Sequence, residues 1–135
     1  MAQGDAERLR IGYAAFNHGG IEAILESLDP QIHVRERATM PDAATYHGRT
    51  GVRTLFTTLL EVFDDVQYEV EEIIERGDHS VVVLTQLVHG RGSGITMNAR
   101  TVHVWEMNEG RPVSLTIFGT REQALASLDP GLRPR

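Results

Sequence analysis

The sequence predicts a single α+β domain, in which helices cover one face of a curved, mostly antiparallel sheet. With 135 residues the chain is long enough for one domain and too short for two. Apolar residues recur every three or four positions in the first half, which is the period of a helix. From Val66 onward they recur every second position, as in a strand with one solvated face. We therefore predict one domain over residues 1–135, with an ordered core over about 5–128 and a loose tail over 129–135.

Four helical segments are indicated by their apolar stripes and boundary residues. The first begins at a capping Asp5 and ends at the glycine pair of 17–20, because glycine permits a left-handed turn there. A short second helix ends before Pro30, and Thr50 caps a third. A capping box over 120–123 opens a short final helix. We expect the first three helices to roof the sheet.

The extended segments follow from alternation and from the turns between them. Residues 32–40 are predicted to be extended and 41–50 to form a loop. Glycine-containing turns then separate four strands. The first strand begins at Val66, and the other three cover 80–89, 95–107 and 113–118. A strongly curved sheet roofed by helices leaves a cone-shaped space, and such a space holds a small ligand.

The composition excludes several classes of function. The formal net charge of −6 and the pI near 5.4 argue against nucleic acid or an anionic membrane as a partner. The chain has no cysteine, so disulfides, thiolate metal sites and cysteine nucleophiles are excluded. Every basic residue is an arginine, which excludes Schiff-base chemistry on a lysine side chain.

The remaining patterns concern location and metals. The longest apolar run, Val81–Leu84, is far too short to span a membrane, and the polar, acidic start does not resemble a signal peptide. We therefore predict a cytoplasmic protein. The six histidines show no HxH or HExxH spacing, so no metal site is predicted, and no cofactor is indicated.

Four stretches occur in an order typical of one protein family: 13–25 (YAAFNHGGIEAIL), 46–52 (YHGRTGV), 104–111 (VWEMNEGR) and 121–125 (REQAL). Together they resemble the SnoaL-like polyketide cyclases of the nuclear transport factor 2-like superfamily, to which ketosteroid isomerase also belongs. The resemblance implies a cone-shaped α+β barrel roofed by three helices, commonly a dimer through the outer sheet face. Function must still be argued from the cavity, because such folds carry unrelated chemistries.

Glu36 is the first candidate catalytic residue. Counted from the Gly19–Gly20 turn, it falls where the resembling ketosteroid isomerases place their carboxylate general base. Strand alternation puts Val34 and Glu36 on one face, so Glu36 faces the cavity if Val34 faces the core. Burial would raise the pKa of such a carboxylate and suit it to accept a proton. The alternative is a surface strand on which Glu36 pairs with Arg35 or Arg37.

His103 is the second candidate. The corresponding strand position often carries an acidic residue in the resembling enzymes, whereas a histidine here titrates near neutral pH. The alternative is a core histidine whose hydrogen bonds are made by its neighbours. We predict that Glu36 and His103 face one pocket and share one ligand, either as two neutral groups or as an ion pair.

Further residues complete the predicted site and the predicted interface. We expect four side chains to contact the ligand: Val34, Phe56, Thr101 and Leu115. Tyr13 lies one position from the tyrosine of the resembling isomerases and in the apolar stripe of the first helix, so core packing is its expected role. Trp105 is expected on the outer sheet face with Val102 and Val104, and this apolar face predicts a homodimer.

Three functions remain compatible with the sequence. The first is a cofactor-free cyclase, isomerase or lyase that acts by acid–base chemistry on a small hydrophobic carbonyl compound. The second is a non-catalytic module that binds an apolar ligand in the same cavity. The third is an interaction protein whose cavity is filled by its own side chains and whose dimer face is the functional part.

Overall fold

In the computed structural model, the described residues form one sheet of six strands with three α-helices packed on it. The structure describes residues 4–36 and 45–128. The helices are α1 (Asp5–Gly19), α2 (Gly48–Val62) and α3 (Arg121–Leu128). The strands are β1 (His33–Glu36), β2 (Thr45–His47), β3 (Phe63–Arg76), β4 (His79–Gly90), β5 (Thr96–Asn108) and β6 (Arg111–Phe118). Two 3-10 turns, Ile21–Ala23 and Leu25–Ser27, connect α1 to β1.

The sheet has the strand order β2-β1-β6-β5-β4-β3. Of the neighbouring pairs in this order, β1 and β6 are parallel and the other four pairs are antiparallel. Register shifts in β3 and near the end of β5 add local twist and bend the sheet. The α+β prediction with a mostly antiparallel, helix-covered sheet is therefore confirmed, although this curved sheet does not close into a barrel.

The helix boundaries differ from the prediction at three places. Gly4 rather than Asp5 is the N-cap of α1, and it forms no side-chain cap. Helix α2 begins at Gly48 and its N-cap is His47, so Thr50 lies inside the first turn. The predicted second helix is instead the pair of 3-10 turns over 21–27, because the chain turns twice there within seven residues.

Other local predictions are confirmed. Gly20 ends α1 at φ 75°, and its N–H donates to the carbonyl of Phe16 at 2.7 Å. The N–H of Gln123 donates to Thr120 Oγ1 at 3.1 Å, as the capping box requires.

The segment after Pro30 is confirmed only in part. Residues 33–36 form β1 as predicted, and 45–47, which were predicted to be loop, form the short strand β2. The segment 45–47 is a strand because it pairs with β1. Its three residues are too few to show the alternation of apolar and polar residues from which a strand is predicted. Residues 48–50, the end of the predicted loop, are the first residues of α2, so that part of the prediction is wrong. The parts of the predicted extended segment and loop over 37–44, and the predicted tail over 129–135, lie outside the described residues.

The two faces of the sheet are covered differently. The concave face packs against α1 and α2 and contributes Val34, Leu84 and Trp105 to the main core. The convex face forms a second cluster with α3, and its buried residues are Val81, Val83, Val102, Val104, Phe118 and Ala124. In the part of the chain that the structure describes, no helix is both long and apolar enough to cross a membrane.

Trp105 was predicted on the wrong face. It shares the concave face with His103, two residues away, because alternation returns a strand to the same side at every second residue. Val102 and Val104 do lie on the convex face, but each is less than 5% exposed within the monomer, where α3 covers their cluster. The apolar patch from which we predicted a homodimer is therefore absent at these three residues.

Candidate functional site

A cavity of about 270 Å³ lies between α1, the 3-10 turns, α2 and the concave face of the sheet. Aromatic rings form much of its wall, and they belong to Tyr13, Phe16, Phe56, Tyr68 and Trp105. Ile11 lies at the rim and is 52% exposed, whereas Ile32 and Val34 are buried at the inner end. The volume is close to the lower limit for ligand pockets, so the cavity fits a compound of one or two rings.

Three buried polar side chains form a hydrogen-bonded chain in the wall of this cavity. The indole N–H of Trp105 donates to the hydroxyl oxygen of Tyr13 at 2.8 Å. The same hydroxyl lies 2.7 Å from Nδ1 of His103. Each of the three residues is at most 7% exposed, and each lines the cavity. Buried polar groups that are paired in this way orient one another and hold one geometry.

Burial controls the protonation of the site. Desolvation lowers the pKa of His103 to about 3, so its imidazole is neutral at physiological pH. Burial also raises the pKa of Tyr13 well above its usual range, and the hydrogen bond from Trp105 offsets part of this effect. Burial, and secondly the negative charge of Glu36, raise the pKa of Tyr68. The cavity therefore presents neutral hydrogen-bonding groups within a largely apolar wall, which the charged residue Arg8 also lines.

Helix α1 is fixed against strand β3 by the side chain of Asn17, which forms hydrogen bonds with the backbone of Tyr68. Asn17 Nδ2 donates to the carbonyl of Tyr68 at 2.7 Å, and the N–H of Tyr68 donates to Asn17 Oδ1 at 2.9 Å. These two bonds set the height of α1 above β3, and Tyr13 lies one turn before Asn17 on the same helix. The contact thus positions the Tyr13 hydroxyl over His103 of β5.

At the rim of the cavity, Arg8 lies against the β5–β6 turn. Gly110 has φ 78°, and a Cβ at this position would lie 2.8 Å from the Arg8 guanidinium carbon. The positive φ favours glycine at this position, and a Cβ would also have to displace the Arg8 guanidinium, which is the end of a flexible side chain.

Glu36 and His103 occupy one row of the sheet. Glu36 is paired with Ile117 of β6, and Ile117 is paired with His103 of β5. Paired residues point to the same face, so Glu36 points to the concave face, as predicted. Two strand spacings place the Cα atoms about 10 Å apart. Glu36 is half-buried and does not line the cavity, and among residues 4–36 and 45–128 it forms no hydrogen bond or ion pair with His103.

The other predicted site residues fall into two groups. Val34, Phe56, Leu115 and His103 line the cavity. Thr101 is buried on the same face as His103 but outside the cavity wall, because the cavity extends along β5 toward Trp105 and Met107 instead. The predicted ligand contact of Thr101 is therefore not supported by its position.

Three site residues were missed by the sequence reasoning. Tyr13 does pack in the core as expected, but its hydroxyl also contacts both His103 and Trp105. Trp105 could have been assigned to the cavity from its two-residue separation from His103. Tyr68 lies two residues after Val66 on the apolar face of its strand, and that position gave no sign of a cavity.

Among the described residues, no group of three or more histidine, aspartate or glutamate side chains is placed to hold a metal ion. His33 and His47 lie opposite each other on β1 and β2 with ring centroids 5.6 Å apart, but both are exposed and neither lines the cavity. The candidate site therefore consists of the aromatic cavity and its buried polar chain.

Comparison with known proteins identifies the family. Residues 10–115 match the model of the SnoaL-like domain. No curated protein matches the chain at a significant level.

Solved structures share the fold over nearly their whole length. An NTF2-like protein of unknown function from Burkholderia pseudomallei is 22% identical, with 94% of this chain and 98% of that chain covered and a TM-score of 0.75. TerC, crystallised with polyporic acid, is 25% identical, with coverages of 92% and 96% and a TM-score of 0.74. IdmH from Streptomyces antibioticus, provisionally assigned as a polyketide cyclase, is 19% identical, with coverages of 93% and 99% and a TM-score of 0.72.

Proposed function

The chain belongs to the SnoaL-like domain family, and from this premise we propose that it binds a small hydrophobic carbonyl compound and acts on it as a cofactor-free cyclase or isomerase. The observation that carries the proposal is the neutral imidazole of His103, which lines an otherwise largely apolar cavity. A few polar groups in a largely apolar pocket fix the orientation of a ligand. The co-crystallisation of the similar protein TerC with polyporic acid supports a small organic ligand for this fold.

In the proposed reaction Glu36 is the proton acceptor. Its carboxylate takes a proton from the carbon next to the carbonyl group, and the electron pair of that C–H bond forms an enolate. His103 lies beside the carbonyl oxygen, where its imidazole stabilises the developing negative charge. The carboxylic acid of Glu36 then returns the proton to another carbon, which completes an isomerisation. The shared row of the sheet supports this assignment, because it directs both side chains to the concave face.

A second candidate function is a non-catalytic binding module. It is favoured by one observation, namely that Glu36 does not line the cavity. Without a carboxylate within reach of the ligand, the cavity would hold an apolar compound and leave it unchanged. The third possibility, an interaction protein with a filled cavity, is disfavoured by the open volume of about 270 Å³.

Proton exchange distinguishes the two candidates. We would incubate 1-indanone with the protein in D₂O and follow by NMR the loss of the protons next to the carbonyl. Wild type is expected to accelerate the exchange, and Glu36→Gln to reduce it at least about tenfold, since general base catalysis contributes a factor of this order or more. Glu69→Gln, which neutralises an exposed carboxylate on β3, is the matched control. Binding of 1-indanone without exchange would leave only the binding module.

The homodimer also remains a proposal, although its surface must differ from the predicted one. Among the described residues, the large apolar side chains that stay exposed include Leu60, Val62, Ile95 and Met97. A cytoplasmic location is likewise proposed and would be tested by cell fractionation.

A further inference from the structure

We infer that the hydrogen bonds between Trp105, Tyr13 and His103 hold the imidazole in the tautomer with its proton on Nε2, so that the cavity offers a hydrogen-bond donor to a ligand oxygen. This inference rests on the proposed function, because it specifies how the carbonyl compound is recognised. It makes Tyr13 and Trp105 positioning residues, since they act on the ligand only through His103.

The direction of the first bond is fixed by chemistry. An indole nitrogen carries a hydrogen and has no lone pair to accept with, so Trp105 must donate. The Tyr13 oxygen therefore accepts at 2.8 Å, and one of its lone pairs is occupied. The Tyr13 hydroxyl keeps one proton of its own, and this proton needs an acceptor because the group is buried.

The second bond then has one consistent direction. Within the described part of the chain, the acceptor in reach of the Tyr13 proton is Nδ1 of His103, at 2.7 Å. If Nδ1 carried a hydrogen instead, the Tyr13 oxygen would receive two hydrogens and its own proton would remain buried without an acceptor. A neutral imidazole has one protonated nitrogen, so an accepting Nδ1 requires a hydrogen on Nε2.

The remaining nitrogen of His103 is left for the ligand. The residue lines the cavity, and within residues 4–36 and 45–128 its ring forms no hydrogen bond other than the one with Tyr13. Nε2–H therefore stabilises a carbonyl oxygen or the enolate oxygen derived from it. A nitrogen that already carries its hydrogen cannot accept another proton, so the role of base falls to Glu36. The cavity should accordingly prefer a ketone over a hydrocarbon of the same shape.

The tautomer can be observed directly. We would record ¹⁵N NMR spectra of the labelled protein near neutral pH and assign His103 by its absence in His103→Phe. Wild type is expected to show a protonated Nε2 and an unprotonated Nδ1. Tyr13→Phe should give a mixture of tautomers, and Trp105→Phe a smaller change of the same kind, because the Tyr13 hydroxyl is then free to turn. Tyr46→Phe is the control: it removes a tyrosine hydroxyl from a partly buried residue that does not line the cavity, and it should leave the spectrum of His103 unchanged. A protonated Nδ1 in wild type would overturn the inference even if every variant failed to fold.

Ligand binding supplies the second test. Wild type should bind 1-indanone about fivefold more tightly than indane, the value expected for one net hydrogen bond. This preference should disappear in His103→Phe, decrease in Tyr13→Phe and persist in Tyr46→Phe. Equal affinities of wild type for the two compounds, with the Nε2 tautomer present, would show that the donor does not reach the ligand and would overturn the inference. If neither compound binds while the NMR result holds, it is the proposed function that fails.

Discussion

Acidification is expected to destabilise the fold through His103. Its pKa is about 3 in the folded protein, because burial disfavours the charged imidazole, and near 6.5 in the unfolded chain. Between these two values the unfolded chain binds a proton that the folded protein does not bind. The stabilising contribution is therefore complete above pH 6.5 and is lost progressively as the pH falls toward 3.

The expected loss can be calculated from this pair of pKa values. Between pH 6 and pH 4, His103 should lower the free energy of unfolding by about 2.5 kcal/mol, which is an order-of-magnitude value obtained by linkage. Other groups also titrate in this range, so the contribution of His103 is measured as the difference between the losses of stability of wild type and of a variant without this histidine. We would follow urea unfolding by the fluorescence of Trp105, the single tryptophan, at both pH values for wild type and His103→Phe.

Wild type should lose about 2.5 kcal/mol more stability on acidification than His103→Phe does. The substitution also leaves the Tyr13 proton without an acceptor, but that cost is present at both pH values and cancels in the comparison. His33→Gln, which removes an exposed histidine, should retain the wild-type dependence on pH. Equal losses for wild type and His103→Phe would refute the reasoning that burial keeps this imidazole neutral.

Three further predictions concern the scaffold around the cavity and the oligomeric state of the protein. Asn17→Ala removes both bonds to the Tyr68 backbone and should lower the free energy of unfolding by about 2 kcal/mol in urea titrations; no loss would show that α1 is held by packing alone. Gly110→Ala and Gly77→Ala should each lower the free energy of unfolding by about 1 kcal/mol, because both glycines have positive φ. A Cβ at position 110 would also meet the Arg8 guanidinium, but this end of a flexible side chain can move aside, so a much larger cost of Gly110→Ala in thermal unfolding would contradict the reasoning. Sedimentation at micromolar concentration should show a species of twice 15.0 kDa, and a monomer would exclude the proposed dimer.

The sequence was sufficient to predict the layers of the fold and their order. The change of period at Val66 separates the helical half from the hairpins, and hairpin neighbours follow directly from turns. The parallel pairing of β1 with β6 could not be derived in the same way, because about 75 residues separate the two strands along the chain and no turn links them. Alternation within β1 does show that Val34 and Glu36 share a face, yet it does not show which strand they adjoin.

The candidate site was predicted less completely, and the errors have physical causes. His103 and Trp105 are two residues apart on one strand, so alternation places both on the same face. We applied alternation correctly to separate Val104 from His103, but we then placed Trp105 on the face of Val104. Tyr13 illustrates a different difficulty. Its apolar ring fits a core stripe and its hydroxyl fits a polar network, and one sequence position does not tell which partners the hydroxyl meets. Those partners, 90 and 92 residues away, are defined only by the packing of α1 on β5.

The distinction between an enzyme and a binding module depends on the distance across the sheet between Glu36 and the cavity. The cavity extends along β5 through His103 and Trp105, whereas Glu36 lies across β6, about two strand spacings from the imidazole. A ligand whose oxygen contacts His103 reaches Glu36 only if its ring extends over Ile117 and not toward the rim at Ile11. The negative charge of Glu36 nevertheless raises the pKa of Tyr68, a residue of the cavity wall, so the carboxylate already influences the site electrostatically. In the proposed reaction, a ligand oriented toward Ile117 would therefore meet the base Glu36, whereas one oriented toward Ile11 would only be bound, so the orientation imposed by His103 would decide between the two candidate functions.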